Sequence, residues 1–191
     1  NGEYLTVCVV NNPLMHLSHP LEIAYLPTTT MMVPTHGDLH PGNVIVVRNS
    51  PVFIDYGLSD PSAPIGIDMI RLLGGIIKDI IASEIDFDQL KQLVLVAFGK
   101  SNMSFDDEVL SKSLSLLKYI LEQIEYHLDK QSFWLHLYGY AWIGLKWNHQ
   151  PENPKEYAYR ACFLIACLAY TEILELFEET VFPVLHDKKI E

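Results

Sequence analysis

Between Thr35 and Asp60 the chain reads THGDLHPGNVIVVRNSPVFIDYGLSD, a run that places two carboxylates and an amide where a metal-bound phosphate could be handled. Magnesium prefers hard oxygen ligands, keeps several waters, and is usually held by one or two carboxylates together with phosphate oxygens of a substrate. Asp55 and the amide oxygen of Asn43 suit that task. A third oxygen group, Asp38, could stand clear of the metal and accept the proton of an attacking hydroxyl while a phosphoryl group transfers.

These groups work together only if local structure gathers them. Asn43 to Val47 and Val52 to Asp55 are short runs rich in β-branched and aromatic residues, and Arg48-Asn49-Ser50-Pro51 between them has turn composition. The pattern predicts an antiparallel hairpin. Its two free ends lie side by side, so Asn43 and Asp55 become neighbours although twelve positions separate them. Asp38, in the loop feeding the first strand, arrives at the same end. Asp55-Tyr56-Gly57 then forms an exit in which Gly57 admits backbone angles that other residues resist.

His36-Gly37-Asp38-Leu39-His40-Pro41-Gly42-Asn43 fits the kinase catalytic-loop pattern H-x-D-x-x-x-x-N, and Asp55-Tyr56-Gly57 stands where D-F-G would be. The wording HGDLHPGN, followed closely by a hairpin and an Ile-Asp pair, resembles the aminoglycoside phosphotransferase and choline kinase family rather than the protein kinases. Asp68, in Gly66-Ile67-Asp68-Met69-Ile70-Arg71, resembles that family's later aspartate at a helix start. The match covers roughly Val33 to Arg71; outside it the composition is only generically helical. The resemblance implies that Asp38 is the catalytic base, that Asn43 and Asp55 bind Mg²⁺, and that His36 and Asp68 shape the loop. It further implies ATP as donor and a small-molecule hydroxyl as acceptor, with the acceptor pocket among the later helices.

The same resemblance implies an N-terminal nucleotide lobe of strands, with a phosphate-covering loop, a strand lysine and a helix glutamate. About thirty-five residues precede the catalytic loop, too few for such a lobe, and G-x-G-x-x-G does not occur. The chain opens with Asn1 rather than methionine, which suggests a fragment of a longer protein whose upstream lobe or domain is a missing partner. Residues 1–34 are expected to be the approach segment and 35–191 the kinase-like C-terminal lobe. Tyr4 to Val10 reads as a strand without an obvious partner, and Pro13, Pro20, Pro27 and Pro34 punctuate the segment from there to the catalytic loop. Gly139 to Lys146, GYAWIGLK, imitates a phosphate loop, but its lysine is displaced by one position and no Ser or Thr comes after it, so a helix is the better reading.

Composition bounds the remaining choices. The chain has 191 residues, 49% hydrophobic and 19% charged, enough to bury one core, so one domain is the default. Its formal net charge of -11, with 13 Lys and Arg forming no basic stripe, argues against a nucleic-acid surface and would tolerate a cationic acceptor such as an aminoglycoside or choline. Three cysteines, Cys8, Cys162 and Cys167, make no C-x-x-C pair, which a reducing cytoplasmic setting explains most simply. The most apolar stretch, Ala161 to Ala169, is shorter than the roughly twenty residues that cross a bilayer, so no membrane partner is expected.

From Ile65 onward the pattern turns helical. Ile67, Ile70, Leu73, Ile77, Ile80 and Ile81 keep one face apolar through Ser83, with Gly74-Gly75 as a weak point or a close-packing site. Asp86 with Gln89 and a stop at Gly99 predict a helix over Phe87 to Phe98. A third helix is expected from near Ser104, with Leu110, Leu114, Leu117, Leu121, Ile124 and Leu128 facing the core. A fourth covers Phe133 to Asn148 and carries Trp134, His136, Tyr138, Tyr140, Trp142 and Trp147, expected mainly as core. After the loop Gln150 to Pro154, a fifth runs from Lys155 to about Thr180. The expected fold is therefore α+β and mainly α: a small catalytic β-hairpin, then a helical bundle.

Two other readings compete with a phosphotransferase. One is a kinase-like lobe retained as a binding or regulatory module. The other is a hydrolase in which His36, Asp38 and His40 ligate a transition metal.

Overall fold

The structure is a computed structural model that describes residues 31–148 and 155–186. The strand expected at Tyr4 to Val10, Cys8 within it, Pro13, Pro20 and Pro27, and the loop Gln150 to Pro154 lie outside the described residues, as do the side chains of Trp147 and His186.

Two small antiparallel sheets come first. Strand β1 (Met32–Thr35) leads into the loop that carries His36 to His40; a 3-10 turn (Pro41–Asn43) then feeds β2 (Val44–Val47), which pairs with β3 (Ser50–Phe53). The register sets Val44 opposite Phe53 and Val47 opposite Ser50. The hairpin turn is therefore the pair Arg48-Asn49, both at positive φ, rather than the expected four residues. Two residues at positive φ match the right-handed twist of the flanking strands, and Asn tolerates that conformation. Pro51 thus lies within β3, which is an edge strand and does not need its missing N–H. After a second 3-10 turn (Tyr56–Leu58), β4 (Asp60–Pro64) returns to pair with β1, Met32 opposite Pro64 and Val33 opposite Ala63. The sequence pattern does not predict this second sheet, because Pro34, Pro61 and Pro64 suppress the strand signal in both of its segments.

Helix α1 begins at Ile67–Gly75, continues without a break as the π-helical stretch Ile76–Ile81, and closes with Ala82–Glu84. The wider π turn, bonded i to i+5, takes an extra residue and shifts the apolar face. Ile76, Ile77 and Ile81 are buried as a result, whereas Ile80, expected on the same stripe, turns outward. Gly74-Gly75 is a close-packing site: a β-carbon on Gly74 would lie 2.0 Å from the Tyr140 ring, and one on Gly75 2.5 Å from Pro41 Cδ.

Helix α2 (Phe87–Ala97) carries the expected capping box, in which Asp86 accepts from the Gln89 N–H and Gln89 accepts from the Asp86 N–H. Helix α3 (Glu108–His127) starts later than Ser104 because Asp107 is its cap, accepting from the Leu110 N–H at 2.9 Å. Five of the six residues of its stripe are buried and Leu114 packs against them from the edge. Helix α4 (Lys130–Asn148) starts earlier than Phe133, since Asp129 caps it through both the N–H and the hydroxyl of Ser132. Burial alone would raise the Asp129 carboxyl, but the Ser132 hydrogen bonds outweigh it and hold the group below the usual carboxylate range.

Helix α5 (Glu156–His186) pairs with α4 along the centre of the bundle, where Leu137, Ala141, Ala161, Ile165 and Ala169 are fully enclosed. Its apolar window, Glu156–Leu176, is longer than the stretch Ala161 to Ala169 and meets the length and composition of a membrane span. Two-thirds of that window, 67%, is buried inside the bundle, the placement of a core helix. The molecule is thus α+β and mainly helical, with two small antiparallel sheets of two strands each.

Candidate active site

The loop from His36 to Asn43 is held from three directions. Its backbone is gripped by Asp68, in the first turn of α1, whose carboxylate accepts from the N–H groups of His36 at 2.6 Å and Gly37 at 2.9 Å. A carboxylate that takes two adjacent N–H groups fixes the direction of the chain between them. Gly37 occupies φ +81°, and a β-carbon there would fall 1.9 Å from the Leu58 carbonyl oxygen. Both the backbone angle and the close approach require glycine.

His36 braces the loop against the hairpin. Its ring is buried, Nε2 lies 2.7 Å from the Ile54 carbonyl oxygen, and Nδ1 faces the Asp38 N–H at 3.4 Å. A carbonyl oxygen only accepts, so the proton sits on Nε2 and Nδ1 is the acceptor. Tyr56 lies over the same ring, 4.5 Å between centroids. With both nitrogens engaged inside the protein, His36 has no lone pair to offer a metal, and no three His, Cys, Asp or Glu residues converge on a metal position among the described residues. The transition-metal hydrolase reading loses its first ligand on that geometry.

Asn43 ties the loop to the sheet. Its side-chain Nδ2 donates to the Asp38 carbonyl at 2.9 Å, its N–H to the His40 carbonyl at 2.9 Å, and its carbonyl accepts from the Ile54 N–H at 3.0 Å. Because the amide nitrogen is spent inward, the amide oxygen is the atom left to act as a ligand. Ile54 is therefore bonded to His36 through its carbonyl and to Asn43 through its N–H, and Asp55 is the next residue along. Asp55 has φ 61° and ψ 64°, a left-handed conformation uncommon outside glycine, and its exposed carboxylate reaches back over Gly57. The backbones of Asn43 and Asp55 lie at the same end of the hairpin, with Ile54 rather than Asp55 directly opposite Asn43.

The Asp38 side chain turns to the helical side. Arg71 Nη1, one turn beyond Asp68 on α1, lies 3.0 Å from its Oδ1, and His40 Nε2 lies 4.0 Å from its Oδ2. Asp38 remains 41% exposed, so a ligand has access to the carboxylate. His40 also caps the short 3-10 turn, its Nδ1 accepting from the Gly42 N–H at 3.1 Å. His36, Asp38, Asn43 and Asp68 form one hydrogen-bonded unit.

Asp38 opens onto a cavity of about 950 Å³ between the loop, α1 and α4. Its walls include Leu58, Ile67, Ile70, Ile143 and the Tyr140 ring, and its charged groups are Asp38, Arg71, Lys78, Asp79 and Lys155. Lys78 and Asp79 belong to the π-helical stretch, whose wider turn carries them into the wall. Such turns inside α-helices recur at functional sites. Burial pushes the Tyr140 hydroxyl well above the ordinary tyrosine range, so it stays a neutral donor. His136, also in the wall, is held below the ordinary histidine range by burial, against the opposing pull of the Ser132 carbonyl and Asp129.

Arg71 and the cavity charges carry no functional assignment from the sequence. Arg71 has a usable signal in its i+3 spacing from Asp68, which puts both on one helix face. Lys78-Asp79 has another, since a charged pair inside IIKDII interrupts an apolar stripe. Lys155 has none. Comparisons with protein-family models, with curated proteins and with solved structures return no match to this chain.

Proposed function

We propose that this chain is the C-terminal lobe of a phosphotransferase of the aminoglycoside phosphotransferase and choline kinase type, acting on the hydroxyl of a small molecule with ATP as donor in a cytoplasmic setting. The observation that carries the reading is the arrangement around Asp38. Its backbone is fixed by Asn43 and by the neighbouring Asp68 contacts, its carboxylate is oriented by Arg71, and it opens on a cavity large enough for an organic acceptor.

The residues divide the work by position. Asp38 accepts the hydroxyl proton as the alcohol oxygen bonds to the γ-phosphorus and the bond from that phosphorus to the ADP oxygen breaks, giving a phosphate monoester and ADP. Arg71 holds the carboxylate toward the cavity. Asn43 and Asp55 supply an amide oxygen and a carboxylate, a donor set that fits Mg²⁺, which would offset charge on the donor phosphates when bound. His36 and Asp68 keep the loop and the hairpin end in register.

The hairpin supports a second, covering lobe. Ile45, Val46, Val47, Val52 and Phe53 are each between 43% and 70% exposed, on both faces of a two-stranded sheet. Apolar surface of this kind marks a contact site, and it borders the Asn43 and Asp55 end where the donor would lie. The test is Mg²⁺-dependent release of ADP from ATP in the presence of alcohols, by the protein with its upstream lobe in place. Asp55→Ala should reduce turnover at least about a hundredfold and leave helical circular dichroism unchanged. Equal turnover in that variant would remove Asp55 from the reading.

A further inference from the structure

We infer that the alcohol received by this cavity carries an anionic group, a carboxylate or a phosphate ester, held on the Lys78 and Lys155 side with its hydroxyl toward Asp38; the inference rests on the reading of Asp38 as the acceptor-side base. The charges in the wall are the ground for it. Three cations, Arg71, Lys78 and Lys155, face two carboxylates, Asp38 and Asp79. Among the described residues, Arg71 is paired with Asp38 at 3.0 Å and Lys78 with Asp79 at 3.2 Å, which leaves Lys155 as the surplus. The whole chain has a net charge of -11, so the cavity departs in sign from the molecule that encloses it.

A cationic acceptor is disfavoured here. An ammonium group would approach three cations, and each carboxylate it could pair with already has a cation beside it. An anion meets Lys155 directly, and Lys78 can share its ammonium between Asp79 and the ligand, since an ammonium has three donors. The apolar wall formed by Ile67, Ile70, Ile143 and the Tyr140 ring suits a carbon skeleton between the charged end and the hydroxyl. The net charge of the chain tolerates a cationic acceptor; the local charge at the cavity disfavours one. The donor phosphates are the other source of an anion for Lys155, and competition with ADP separates the two.

The experiment uses the 191-residue chain without nucleotide, and measures calorimetric affinities for three alcohols of matched size: glycerol, choline and glycerol 3-phosphate. Glycerol 3-phosphate should bind at least about tenfold more tightly than either of the others. Lys155→Glu should abolish that preference, and Lys155→Gln should weaken it, both with unchanged helical circular dichroism. ADP should fail to displace glycerol 3-phosphate. Choline or glycerol binding as tightly, no binding by any of the three, unchanged selectivity in Lys155→Glu, or displacement by ADP would each overturn the inference. Because no phosphoryl transfer is involved, anion-selective binding without turnover in a form that carries the proposed nucleotide lobe would overturn the catalytic reading alone.

Discussion

Asp68 and Arg71 stand one turn apart on helix α1 and hold the same loop in two different ways, Asp68 through the backbone N–H groups of His36 and Gly37 and Arg71 through the carboxylate of Asp38. The two contacts have different energetics. Removing Asp68 leaves two N–H groups without their acceptor, at a cost of roughly 1–3 kcal/mol. The Arg71 pair is 30% and 41% exposed, so solvent screens it and its loss costs at most about 1 kcal/mol. Thermal unfolding should therefore show Asp68→Ala melting about 3–10 °C below the parent and Arg71→Met within a few degrees of it. The reverse order would show that the loop is not suspended from Asp68.

Gly37 and Gly99 both have positive φ, yet only Gly37 is crowded. Gly99→Ala meets nothing within 4 Å and should cost about 1–2 kcal/mol from the backbone angle alone. Gly37→Ala must in addition displace the Leu58 backbone, whose oxygen would be 1.9 Å from the new methyl group. It should cost at least about 1 kcal/mol more than Gly99→Ala by urea unfolding. Equal costs would mean that Leu58 yields to the loop without loss.

Much of this arrangement is legible in the sequence because it is written in local chemistry. The capping box at Asp86 and Gln89, the apolar stripe of α3 and the hairpin from Asn43 to Asp55 depend on near neighbours, and all three are present. The pairing of β1 with β4 is hidden, since its prolines contradict strand propensity and its partners are about thirty residues apart. The π-helical stretch is hidden as well: IIKDII reads as ordinary helix, and only packing against α5 and the cavity shows which isoleucines turn inward. At the site, the loop residues are recoverable from spacing, but the partner of Asp38 is not. An ion pair between Asp38 and Arg71 depends on how α1 crosses the loop, and no spacing rule spans 33 residues.

Tyr140 is seated by the absence of a side chain at Gly74. A β-carbon at that position would lie 2.0 Å from the ring, so Gly74→Ala pushes the ring and costs roughly 1–3 kcal/mol. In a Tyr140→Leu background most of that cost should vanish, giving a coupling of about 0.5–3 kcal/mol in a double-mutant cycle. Additive losses would place the Gly74 contact elsewhere than on the ring.

Cys162 is enclosed in the bundle, and burial pushes its thiol up to about 11, with Lys78 opposing and Asp79 adding to the shift. At pH 8 only about one thiol in a thousand is then the reactive thiolate. Iodoacetamide at that pH, with peptide mass spectrometry as the readout, should leave Cys162 unmodified in the folded chain and modify it fully in denaturant. Rapid native labelling of Cys162 would show that α5 opens far more often than its packing implies.

The central claim is that Asp38 takes the proton of the acceptor hydroxyl. Its most direct test is the turnover of Asp38→Asn, measured as ADP release with an acceptor alcohol in a form of the protein that carries the proposed nucleotide lobe. Asparagine keeps the size of the side chain and removes the basic oxygen. Turnover should fall by about 10²- to 10⁴-fold with the melting temperature nearly unchanged. Turnover equal to that of the parent protein would contradict the claim and leave the loop as the frame of a binding module.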